Sequence, residues 1–117
     1  MSAPIRRQNG NGRMSQIVEH AGVIYLSGQV ADPAKDITGQ STEVLRKIED
    51  LLAAAGSDTA HILSATIWLK TMDDFPAFNA VWDAWVVAGS EPTRACGTSE
   101  LANPNMLVEV MIVASKA

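Results

Sequence analysis

Residues 37–55 read Ile-Thr-Gly-Gln-Ser-Thr-Glu-Val-Leu-Arg-Lys-Ile-Glu-Asp-Leu-Leu-Ala-Ala-Ala. Val44, Leu45, Ile48, Leu51, Leu52 and Ala55 recur at three- and four-residue steps, which gathers them on one side of a helix. Glu43, Arg46, Lys47, Glu49 and Asp50 take the other side. Asp36 stands where a side-chain oxygen caps the first free N–H groups, and Gly56 where a helix stops. The stretch is one amphipathic helix, and its apolar side needs a layer to lie on.

The flanking sequence supplies that layer. Upstream, Gln16–His20 and Val23–Ser27 read as strands joined at Ala21-Gly22, where glycine permits the positive φ of a tight hairpin. Gly28-Gln29 ends the second strand, and Asp32-Pro33 opens a loop that runs to about Asp36. Residues 1–13 read as a flexible approach, turn-rich over Gln8–Arg13. Downstream, Ile62–Lys70 is β-branched and aromatic enough for a central strand. Asp73 or Asp74 then caps a second helix with Pro76 in its first turn, an apolar stripe of Phe75, Phe78, Trp82, Trp85 and Val86, and Gly89 as its end. Thr93–Thr98 and Leu107–Ala114 are the last two strands, separated by a loop around Asn103-Pro104-Asn105. The order β-β-α-β-α-β-β predicts a single α+β domain over residues 1–117, with both helices on one face of a mixed sheet. The other face needs a cover, which a partner subunit would provide.

Composition narrows the function. The net charge of −4, with nine basic residues scattered apart from Arg6-Arg7, argues against a nucleic-acid binder. Cys96 is the only cysteine, so no internal disulfide forms, and the two histidines, His20 and His61, lack ligand-like spacing. No metal site is expected. The first residues lack the apolar core of a signal peptide, and no apolar run approaches the length of a membrane span. A cytoplasmic protein is expected.

Two charges interrupt apolar strand-like segments: Arg94 and Glu109. A buried unpaired charge costs several kcal/mol, so each needs a partner or a wet face. One reading is structural, an Arg94–Glu109 ion pair or Glu109 on a solvated face. The other separates their roles: Arg94 grips a carboxylate through its planar fork, and Glu109 handles water or a proton. Cys96, two residues beyond Arg94, should share its face of the strand, as a small buried side chain rather than an activated thiol. Asp73-Asp74 reads as helix capping rather than a catalytic dyad, and Gly10-Asn11-Gly12 precedes a strand, which excludes a dinucleotide loop.

Taken in order, Ser27-Gly28-Gln29, Asp74-Phe75 with Asn79, Pro92-Thr93-Arg94-Ala95-Cys96, Leu101-Ala102-Asn103-Pro104 and Val108-Glu109-Val110 resemble the RidA/YjgF family, also called L-PSP endoribonucleases. The resemblance covers nearly the whole chain. It implies a chorismate-mutase-like fold, a homotrimer with pockets between subunits, and no cofactor. It implies hydrolysis of reactive imino or enamino acids to keto acid and ammonia. By position, Arg94 is similar to the arginine that holds the substrate carboxylate and Glu109 to the acid that activates water. Ser27, Gly28, Asn79, the Cys96 N–H and Met14 match pocket-lining positions. Many members have Gly-Pro-Tyr before the first strand, and here Gly12-Arg13-Met14 stands instead, which removes a hydroxyl. A non-catalytic, small-carboxylate-binding or chaperone-like trimer is the alternative, and RNA cleavage a weaker one.

Overall fold

The computed structural model describes residues 3–117. One mixed sheet contains β1 (Ile5–Gly10), β2 (Ser15–His20), β3 (Val23–Leu26), β4 (Ile62–Leu69), β5 (Thr93–Thr98) and β6 (Val108–Ser115), in the spatial order β1-β2-β3-β6-β4-β5. All neighbours run antiparallel except β4 and β5, which are parallel. Helices α1 (Ile37–Ala54) and α2 (Phe75–Trp85) pack on one face of this sheet. This is the expected α+β, chorismate-mutase-like architecture.

Strand alternation sorts the core. Ala65, Ile67 and Leu69 of β4 and Val108, Val110, Ile112 and Ala114 of β6 are buried with Val44, Leu45, Ile48 and Leu52 of α1 and Phe78 and Trp82 of α2. The intervening residues point to the other face, which no element among the described residues covers: Tyr25, Trp68 and Met111 are 48%, 39% and 43% exposed there. These large side chains lie on one face and together form an exposed apolar patch.

Helix α1 begins as its sequence predicts, with Asp36 Oδ1 accepting from Gly39 N at 2.8 Å. It ends beside Gly56 at φ +80°. The hairpin at Ala21-Gly22 has both residues at positive φ, 52° and 81°, the pattern of a type I′ turn. No helix among the described residues is long and apolar enough to cross a membrane.

Three expectations are corrected. Ile5–Gly10 is a strand, not a flexible approach, so the order gains a β-strand at its front; Met1 and Ser2 lie outside the described residues. Its pairing with β2 runs from Ile5↔His20 to Gly10↔Ser15; of the turn-rich residues Gln8–Gly10 belong to the strand and Asn11–Arg13 form the hairpin tip. The second helix is entered through a turn over Met72–Asp74 capped by Thr71, whose Oγ1 accepts from Asp73 N at 3.2 Å; Asp74 makes no side-chain cap. That helix ends at Trp85, short of Gly89, because Val86 turns extended (ψ 142°) and packs against the core.

Candidate active site

Arg94 lies on β5, one of the two edge strands of the sheet. It pairs in register with Ala65, and Cys96 pairs with Ile67, so both point to the helix face, as their two-residue spacing predicts. The Arg94 guanidinium carbon lies 5.4 Å from the Trp82 ring centre and 5.8 Å from that of Phe75, within cation–π range. No ion pair engages Arg94 among the described residues. An aromatic platform behind a charged fork keeps its donors free for an incoming anion. Asn79 stands four residues after Phe75 and three before Trp82, on the same stripe of α2. Its Oδ1 is buried and has no hydrogen-bond partner among the described residues. Burial raises the Cys96 thiol pKa against the lowering effect of Arg94, so the side chain is a thiol and not a nucleophile at neutral pH.

The free edge of β5 adds backbone donors. Ser99 N donates to Leu69 O, toward β4. Alternation along the strand then turns the N–H groups of Arg94, Cys96 and Thr98 outward, where no strand accepts them. The Cys96 N–H is therefore available beside the arginine.

Glu109 occupies the opposite face. It sits on β6 between Val108 and Val110, both fully buried under the helices, and pairs across with Trp68. A Cβ placed on Gly28 would fall 2.1 Å from Glu109 Oε2, so the carboxylate lies against bare backbone that only glycine offers. Ser27 joins this group through its Oγ, which donates to Ser15 O at 2.6 Å. Met14, 48% exposed, is the neighbour of Ser15 at the β1–β2 hairpin.

The structure thus resolves the expected residues into two half-sites. Arg94, Asn79 and Cys96 gather on the helix side at one sheet edge. Glu109, Gly28, Ser27 and Met14 gather toward the uncovered side. Arg94 aligns with Ala65 and Ile112, whereas Glu109 aligns with Trp68 and Gly97, three residues away along the strands and two strands across. That is roughly 10 Å in each direction, with the side chains on opposite faces. Among the described residues no Arg94–Glu109 ion pair forms. The ion-pair reading is excluded within one chain, whereas the other structural reading, Glu109 on a solvated strand face, agrees with its partly exposed place on the uncovered side.

Sequence reasoning missed two supporting residues. Gln40 is fully buried: its Nε2 donates to Lys35 O (2.9 Å) and Asn105 O (3.0 Å), and its Oε1 accepts from Leu107 N (2.8 Å). It clamps the loop that feeds β6 and sets the start of the strand bearing Glu109. The signal was present, since Gln40 is a polar residue four positions before Val44 on the apolar side of α1. Trp68 is the second: its ring lies 3.5 Å from where a Cβ on Gly97 would be, forming a flat wall beside Glu109.

A family profile described as Endoribonuclease L-PSP matches residues 5–116. The chain is 38% identical to a RutC family protein of Haemophilus ducreyi over 95% of this chain and 96% of that one. It is 39% identical to the RutC family protein YoaB of Escherichia coli over 95% and 97% of the two chains. A crystal structure of a YjgF protein family member from Neisseria meningitidis superposes with a TM-score of 0.97 at 42% identity, covering 100% of this chain and 98% of that one.

Proposed function

Because the chain belongs to the RidA/YjgF (endoribonuclease L-PSP) family, we propose that it is a homotrimeric hydrolase that converts small reactive imino and enamino acids to keto acids and ammonia. The observation that carries this reading is the unpaired Arg94 guanidinium on its Phe75–Trp82 platform. The substrate carboxylate takes two donors from the arginine fork and a third from the outward Cys96 N–H. Asn79 shares the α2 stripe that carries the platform, and its buried Oδ1, without a partner among the described residues, accepts from the substrate's iminium N–H.

Glu109 acts on water. Its carboxylate takes a proton as the water oxygen bonds to the imine carbon, and the C=N electron pair moves to nitrogen. The proton then returns to nitrogen, the C–N bond breaks, ammonia leaves, and the remaining hydroxyl loses its proton to give the keto oxygen. Starting from the iminium form, the sum is protonated imino acid plus water giving keto acid, ammonia and one proton, a route that calls on no cofactor.

On this reading a second copy supplies the residue that the separation of Arg94 and Glu109 keeps out of reach within one chain. The exposed Tyr25, Trp68 and Met111 supply the apolar surface a second copy would cover. Family resemblance supplies the number three. In a closed ring each junction brings the Arg94 edge of one subunit to the Glu109 side of the next, giving equivalent sites.

The test is a coupled assay in which an amino-acid oxidase generates imines and keto-acid release is followed with and without the protein. Accelerated release supports the reading, and release at the uncatalysed rate refutes it. Met14 favours one second reading, since it cannot donate the hydrogen bond of a tyrosine hydroxyl. A carboxylate-binding trimer without turnover would then bind pyruvate in an Arg94-dependent manner and leave imine decay unchanged.

A further inference from the structure

The tip of the β1–β2 hairpin carries a feature that the reaction above does not use. Asn11 Oδ1 accepts from both Arg13 N and Met14 N at 2.9 Å, and Asn11 N donates to Met14 O at 3.0 Å. The turn is therefore fixed, and with it the base of the Arg13 side chain. Beside it lies a shallow, open cavity of about 380 Å³, walled by Arg7, Gly12, Arg13, Met14, Ser15 and Val18. Among the described residues no acidic side chain lines it. Lys35, Lys47 and Lys116 each hold a carboxylate within 3.4 Å, whereas Arg7 and Arg13 enter no ion pair among the described residues. Two unneutralised guanidiniums on one cavity wall form an anion receptor.

The cavity adjoins the Glu109 half-site. Ser15 O accepts from Ser27 Oγ, and the next residue, Gly28, lies against the Glu109 carboxylate. Resting on the imine-hydrolysis reading, we propose that the preferred substrate is a dicarboxylic imino acid, whose second carboxylate is received by Arg7 and Arg13. The volume is at the small end of ligand pockets, suited to one arm of a substrate and not to a separate ligand. Met14 offers an apolar flank for the methylene between the reacting carbon and the distal charge.

The experiment compares imines made in situ from aspartate and from alanine by the matching oxidases, with wild-type protein and with Arg7→Ala and Arg13→Ala. The expected result is a kcat/KM about tenfold or more higher for the aspartate imine, a preference that each substitution removes while alanine-imine turnover stays unchanged. Equal rates for the two imines in wild type overturn the proposal, as does a slowing of both imines alike in the variants. If neither imine is hydrolysed, the imine-hydrolysis reading fails and binding decides the distal site. Oxaloacetate bound about tenfold tighter than pyruvate, with the difference lost in Arg13→Ala, would sustain the receptor; equal affinities would overturn it.

Discussion

Gly28 and Glu109 meet so closely that a methyl group on the one would occupy the space of the other's carboxylate, 2.1 Å from Oε2. The glycine is there for the acid, not for its own backbone, because its φ lies outside the positive range. Gly28→Ala should push the Glu109 carboxylate away from its position while leaving the core intact. Turnover should fall about 100-fold, the scale of a misplacement near 1 Å, with carboxylate binding nearly unchanged. Steady-state kinetics beside pyruvate titration checks this.

Substitutions at the two charged residues should separate binding from chemistry. Arg94→Lys keeps the charge but loses the planar fork, so pyruvate affinity should drop about tenfold or more. Glu109→Gln keeps the shape and removes the base, so kcat should fall by about 100-fold or more while pyruvate affinity holds. Equal losses of affinity in both variants would contradict the division of roles.

Gln40→Leu removes two hydrogen bonds from the loop before β6 and one from the loop before α1, leaving Leu107 N–H and the Asn105 and Lys35 carbonyls without their partner. The expected cost is about 1–3 kcal/mol in unfolding free energy, read from denaturant midpoints. Because that loop delivers β6, activity should fall with it, whereas loss of the surface cap in Asp36→Ala should cost about 1 kcal/mol and spare activity.

How much of this was legible in the sequence follows from what each element buries. Helix α1 could be read because Val44, Leu45, Ile48 and Leu52 must all enter the core, which imposes a helical period. Strand β1 could not, because five of its six residues are exposed and it is held by backbone hydrogen bonds to β2, which leave no mark on side-chain pattern. Arg94 and Glu109 were recognisable as charges in apolar strands. Their placement on opposite faces depends on register across β5, β4 and β6, which no local pattern encodes. Gly28 read locally as a strand end and by resemblance as pocket-lining, and its direct contact with the Glu109 carboxylate is seen only in the packed structure.

Glu43 anchors the loop that follows Gln29. It bonds Lys35 at 2.7 Å and Lys47 at 3.2 Å and accepts from Asp32 N at 3.1 Å. Lys35 above all, then Lys47 and the Asp32 N–H, hold its carboxyl down to about 2 from the usual 4.5. A depressed carboxylate pKa contributes stability above its unfolded value, and that contribution is lost as pH falls from 4.5 toward 2. Thermal melts of wild type and Glu43→Gln should therefore differ at pH 6 and converge as pH drops through this window. A difference that persists at pH 2 would contradict the assignment.

The most direct measurement is complementation between two inactive chains. Co-expressed under distinct tags, Arg94→Ala subunits supply an intact Glu109 and Glu109→Ala subunits an intact Arg94. If each site joins the two residues across a junction of a three-membered ring, every mixed ring holds one intact site, and about a quarter of wild-type activity should return. Activity in the mixed trimers no greater than in either parent would mean that both residues serve from the same chain, and the account would be wrong.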